Sequence, residues 1–147
     1  MNKKNTLLLF LCLFCLWAVA QEKKPVKIAC VGNSITYGSG IKNQFQNSYP
    51  GLLSQLLGEG YDVRNFGISA RVMLNKGDHP YMHEQKFRDL LAFQPDIVTI
   101  KLGTNDSKPW NWHYGKDFGK DLTEMLDILQ DLPSKPKIYL CLSLIHI

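Results

Sequence analysis

Val26-Lys27-Ile28-Ala29-Cys30-Val31 runs straight into Gly32-Asn33-Ser34-Ile35-Thr36, and this stretch decides the fold. A short apolar run containing β-branched residues and stopped by glycine is the pattern of a buried strand. It predicts that Ser34 sits at the carboxyl end of the first strand of an open α/β sheet. That end is where such sheets bind ligands and carry out chemistry.

Working outward, strand and helix patterns alternate. Residues 37–47 read as a polar loop. Ser48-Tyr49-Pro50 then opens a short helix over Leu52, Leu53, Leu56 and Leu57, stopped by Gly58 and Gly60. Residues 61–66 read as a second strand, weakened by Asp62 and Asn65. A loop over 67–80 leads to a helix with Phe87, Leu90 and Leu91 on one face, and Pro95-Asp96 introduces a third strand over 97–102. Gly103 breaks it. Phe118, Leu122, Met125, Leu126 and Leu129 share one helical face. Leu132-Pro133 ends that helix, and a fourth strand begins over 137–141. Strict alternation predicts right-handed crossovers and a parallel sheet with helices on both faces. The chain has no internal repeats and no low-complexity segments.

Bulk properties set the frame. The 147 residues, 45% hydrophobic, allow at most one domain. Lys3 and Lys4 precede an apolar run over residues 7–19 that ends in Ala18-Val19-Ala20. This is a charged n-region, an h-region and an A-x-A site, so residues 1–20 read as a signal peptide cut after Ala20. At about 13 residues the run is too short to span a bilayer comfortably. An uncleaved anchor is the alternative, and both readings place the remainder outside the cytoplasm, secreted or periplasmic. Phe14 before Cys15 argues against a lipoprotein site. Cleavage reduces the net charge of +4 and leaves 15 basic residues against 13 acidic, with no basic patch for nucleic acid. Cys12 and Cys15 leave with the signal. Cys30 and Cys141 fall in apolar runs, where a thiol packs as a small hydrophobe; a bridge between them is the lesser alternative.

Three glycine-containing breaks follow three consecutive strands: Gly32-Asn33-Ser34, Asn65-Phe66-Gly67 and Gly103-Thr104-Asn105-Asp106. Parallel strands point one way, so these loops share one edge of the sheet. They offer a hydroxyl, a glycine N–H and a side-chain amide. Acyl transfer needs a nucleophile and preorganised donors for the charge on the tetrahedral intermediate, each donor contributing roughly 3–4 kcal/mol.

The three breaks resemble the first three sequence blocks of the SGNH hydrolases, the GDSL esterase/lipase superfamily, over 26–112. The resemblance implies a flavodoxin-like three-layer α/β/α sandwich with Ser34 as nucleophile. It also implies an oxyanion hole formed by the Ser34 N–H, the Gly67 N–H and the Asn105 side chain. Asn33 stands where the family usually has Asp, a residue that is not the triad acid. The first block is similar to a branch that removes acetyl or related esters from carbohydrates. Trp110, Trp112 and Tyr114 follow Asn105 closely and offer either a stacking wall for a sugar or packing of the loop onto the sheet.

The family's base lies in a late Asp-x-x-His block, and nothing here matches it. His83 reads as a surface or half-buried residue, while His79 and His113 could approach the cleft as substrate contacts. His146 is the only late histidine. Residues 142–147 (Leu-Ser-Leu-Ile-His-Ile) read as the translation of CTGTCTCTTATACACATC, a transposase-end adapter, so authentic mature sequence is expected over 21–141. On this reading the last strand, the last helix and the catalytic block are missing, leaving an open sheet edge. The chain as printed is then expected to be poorly soluble and inactive on esters.

No metal or cofactor is implied. No His or Cys cluster has ligand spacing, and Gly32 to Gly40 lacks the Gly-Lys-Ser/Thr ending of a phosphate loop. The expected partner is a small-molecule or carbohydrate ester, with no nucleic acid and no membrane after cleavage. Two other functions fit less of the sequence: a flavodoxin-like binding module, and a catalytically inactive carbohydrate-binding relative. Asn105-Asp106-Ser107 matches a glycosylation sequon, read as accidental at this place.

Overall fold

β1 (Val26–Gly32) is buried along almost its whole length because it is an inner strand, paired in parallel with β2 (Tyr61–Gly67) on one side and β3 (Ile97–Lys101) on the other. β4 (Lys137–Leu140) adds to β3, giving a four-stranded parallel sheet in the order β2-β1-β3-β4. The structure is a computed structural model and describes residues 24–141. The expected signal segment 1–20 and the tail 142–147, with His146, lie outside the described residues.

Helices cover both faces, and strand parity shows which. Ala29, Val31, Val98 and Ile100 face one way into a cluster with Phe66, Phe87, Leu90, Phe93, Met125 and Leu129. Phe66 comes from β2, and the other partners come from α4 (Gln85–Phe93) and α6 (Phe118–Gln130), the two helices foreseen from their apolar faces. Thr99 faces the other way. There Tyr49 of α3 (Tyr49–Leu57) reaches it, hydroxyl to hydroxyl at 3.3 Å. Burial raises the Tyr49 hydroxyl well above its ordinary pKa, so it stays neutral.

The residues that weakened the second strand strengthen it in three dimensions. Asp62 pairs with Arg64 at 2.8 Å, placing charge on the outer edge of an edge strand. Asn65 donates through Nδ2 to the carbonyls of Thr36 at 2.9 Å and Tyr37 at 3.3 Å. Three one-turn helices went unforeseen: α1 (Ser34–Tyr37), α2 (Gln44–Asn47) inside the expected polar loop, and α5 (Pro109–Trp112). Four residues are too few to show a period. Cys30 is buried and Cys141 exposed, both as free thiols, so no bridge joins them and Cys141 does not pack as a hydrophobe.

Residues 68–80 are a loop by pattern yet bury Val72, Met73 and Leu74 almost completely. A buried loop must find partners for its backbone. Asp106, itself fully buried, accepts the N–H groups of Met73 at 3.1 Å and Leu74 at 2.8 Å. Asp121 accepts the Asn75 N–H at 2.7 Å, and Asn111 Oδ1 accepts the Asp78 N–H at 2.9 Å. Three polar side chains thus replace a strand partner.

Candidate active site

The first three strands finish in register: Gly32 lies opposite both Gly67 and Lys101. Their following loops therefore meet at one edge, as expected. Ser34 is the first residue of α1, and Asn33 caps it, its Oδ1 accepting the Ile35 N–H at 3.2 Å. An amide oxygen can cap a helix as a carboxylate oxygen does, which explains physically why Asn is tolerated here. Asn33 is buried, and its Nδ2 has no partner among the described residues. Ser34 is half-buried.

The loop after β2 is fastened to the other two. Ile68 N–H donates to Gly32 O at 3.0 Å, Ser69 and Ser39 share a hydroxyl contact of 2.6 Å, and Asn105 Nδ2 donates to Arg71 O at 3.0 Å. Asn105 is buried at 9% exposure, which also withholds the sequon from the surface. Its Nδ2 has a second hydrogen that this bond does not use.

Gly67 departs from expectation. Its N–H donates to Asn65 Oδ1 at 2.8 Å and so is not offered to a substrate. The glycine is required by packing instead: a Cβ there would come within 2.3 Å of the Tyr37 backbone nitrogen and 2.7 Å of the Thr36 carbonyl carbon. Gly67→Ala must push α1 away from the sheet. A loss of about 1–3 kcal/mol is expected from such overpacking, read as a lower urea midpoint; an unchanged midpoint would show that α1 is free to move.

Three residues further on, Ala70 adopts a left-handed conformation at φ 66°. It is exposed, and its N–H has no hydrogen-bond partner among the described residues. Such backbone costs a non-glycine residue roughly 1–2 kcal/mol and is usually maintained by its surroundings. Here the fastenings of Ile68, Ser69 and Arg71 fix it. Nothing in a sequence pattern distinguishes an alanine in this state from any other.

The aromatic residues do not form one wall. Trp110 and Trp112 lie two residues apart on α5, about 200° around a helix. Trp110 is 60% exposed and donates through Nε1 to Asp78 at 3.2 Å, with Lys108 Nζ 5.6 Å from its ring centroid. The Trp112 ring packs against Phe118 at 6.2 Å and covers Gly115. Tyr114 is half-buried against His113. Trp110 is thus the ring left most open.

His79, His83 and His113 are all exposed, and none has a hydrogen bond to Ser34. No group of three or more His, Cys, Asp or Glu is gathered for a metal ion among the described residues. Arg71 is held in place by Glu84 at 2.7 Å and by its own bond to Ser69 O at 3.0 Å. The pairing of Arg71 with Glu84, like the contacts that Asn65 makes to α1 and Asp106 to Met73 and Leu74, joins residues separated in the chain and leaves no local pattern in the sequence.

Comparison with known proteins bears on this geometry. The model of the GDSL-like lipase/acylhydrolase family matches residues 30–146. An acetylxylan esterase of Xylanibacter ruminicola is 50% identical over 139 residues, covering 83% of this chain but only 29% of that protein. Among solved structures, Est24, a carbohydrate acetylesterase from Sinorhizobium meliloti, superposes with a TM-score of 0.61 at 21% identity, over 78% of this chain and 62% of that one. AlinE4, an SGNH-hydrolase family esterase, gives 0.58 at 23% identity, over 82% and 60%. These two show the fold. The chain spans less than a third of the curated relative and about three-fifths of each solved one.

Proposed function

Because the chain belongs to the GDSL-like lipase/acylhydrolase family, we propose that it is the amino-terminal part of a serine esterase that removes acetyl or other short acyl groups from carbohydrates. One observation carries this: three in-register strand ends bring Ser34, the unpaired Ala70 N–H and the Asn105 amide to one edge. The likeness to an acetylxylan esterase at 50% identity supports the carbohydrate ester as substrate.

In this proposal Ser34 Oγ attacks the ester carbonyl carbon. Its proton passes to a histidine base supplied, with its aspartate, by a late Asp-x-x-His block beyond the described residues. The carbonyl oxygen becomes an oxyanion held by the Ser34 and Ala70 N–H groups and Asn105 Nδ2. Collapse expels the sugar alkoxide, which takes the proton from the histidine. Water then attacks the acyl-enzyme, releasing the acid and restoring Ser34. The amino-terminal segment is proposed to direct export and to be cleaved after Ala20.

A tagged fluorophosphonate tests the reading in the longer protein expressed from its complete gene. Labelling of the wild type but not of Ser34→Ala is expected. Equal labelling of both, or of neither while the Asp-x-x-His block is present, favours a binding module or an inactive relative.

A further inference from the structure

A groove of about 950 Å³ lies along the outer edge of β2. α2 and α3 form one wall through Gln44, Phe45, Asn47 and Gln55, and Lys86 of α4 closes the far side. Its size falls in the range of ligand-binding clefts.

The chemistry of the lining selects its ligand. Three of the side-chain amides spend their N–H groups on nearby backbone: Gln44 donates to Tyr37 O, Asn47 to Lys42 O at 2.7 Å and Gln55 to Gln46 O at 2.9 Å. An amide fixed through its nitrogen has its carbonyl oxygen left over as an acceptor. A groove with several such acceptors suits a ligand rich in hydroxyl donors. Phe45 is 92% exposed, an extreme value for a phenylalanine and one that no packing role explains. Its ring offers an apolar face of the kind that the C–H face of a sugar covers. Arg64 is neutralised by Asp62 at 2.8 Å, which leaves Lys86, among the described residues, as the one cation lining the groove without an ion pair. That is a poor design for a polyanion.

The groove is also joined to the candidate site. Tyr37, which lines it, is the last residue of α1 and lies one turn beyond Ser34. We infer that this groove is a binding site for an uncharged polysaccharide backbone. It holds several sugar units along the β2 edge while an ester on the same chain reaches Ser34. This rests on the esterase reading for its purpose but not for its test.

The test is calorimetric titration of the full chain with unsubstituted xylohexaose, which carries no ester and needs no catalysis. Cellohexaose and a hexamer of galacturonate serve as further arms. Submillimolar binding of a neutral hexamer is expected, weakened at least tenfold by Phe45→Ala and by Gln55→Ala and unchanged in Ser34→Ala. Phe45 is so exposed that its loss leaves the fold intact, which circular dichroism checks. No binding of either neutral hexamer overturns the inference, and so does tighter binding of the galacturonate. Loss of a dimer in Phe45→Ala would equally overturn it, by assigning the groove to a second copy. Sugar binding without fluorophosphonate labelling of the longer protein would sink the esterase reading alone; labelling without sugar binding would sink only the groove.

Discussion

Replacing Asp106 with alanine is expected to destabilise the protein by roughly 2–4 kcal/mol, a large part of the 5–15 kcal/mol typical of a domain. The carboxylate is fully buried and accepts two N–H groups, from Met73 and Leu74, in a loop that has few other means of satisfying its backbone. Removing it strands both donors, each at a cost of about 1–3 kcal/mol. Part of this is offset. Burial raises the Asp106 carboxyl above its ordinary range against the pull of its backbone donors, so its charge is carried at some expense. The two stranded donors outweigh that relief. Asp106→Asn keeps one acceptor but turns an N–H toward the second donor, and should cost less than alanine.

The sign of the pH effect follows from the same shift. A carboxyl whose folded pKa is raised contributes stability that is fully present in acid and lost as the pH climbs through that folded value. The gap between wild type and D106N should therefore be wider at about pH 4 than at about pH 7. Urea midpoints measure both effects, with the exposed Asp89→Asn as control, expected within about 0.5 kcal/mol. A gap that widens with rising pH would mean that the N–H donors, rather than burial, dominate at Asp106.

Asp106 also shows where the sequence stopped being legible. Strands β1 and β3 and helices α4 and α6 follow from local periodicity, because a buried face repeats along the chain that forms it. The in-register meeting of the three breaks follows too, since parallel strands leave it no alternative. What could not be read was every contact made by a polar side chain across the fold. Asn105-Asp106-Ser107 matched a sequon, with nothing local to show that the middle residue supports a loop some 30 residues earlier. Asn65 counted against a strand until α1 arrived to use it. Gly67 looked like the oxyanion donor because glycine signals close approach; the approach is real, but what comes close is the α1 backbone. Trp110 and Trp112 are close in sequence, but about half a helical turn points them to different sides of α5.

The proposed donor set, the Ser34 and Ala70 N–H groups with the Asn105 amide, carries the largest expected effects on catalysis. In a longer protein that carries the proposed Asp-x-x-His block, Ser34→Ala should lower kcat by about 10⁶-fold, the scale on which nucleophile loss is felt in serine hydrolases. The 147-residue chain, in which no described histidine has a hydrogen bond to Ser34, should hydrolyse p-nitrophenyl acetate no faster than its own Ser34→Ala variant. Asn105→Ala should lower kcat by about 10²–10³ with KM little changed, because an oxyanion donor acts on a charge absent from the ground state. Asn105 also bonds Arg71 O, so a fold defect could imitate this result. The split between kcat and KM separates them, since a displaced loop would raise KM as well. Ala70→Gly keeps the N–H and relieves the left-handed strain at φ 66°, so it should retain kcat within a few-fold and raise the melting temperature slightly. A kcat for Asn105→Ala within tenfold of wild type would remove the amide from the oxyanion hole. A collapse of kcat in Ala70→Gly would show that the alanine methyl, rather than the N–H, is what the site uses.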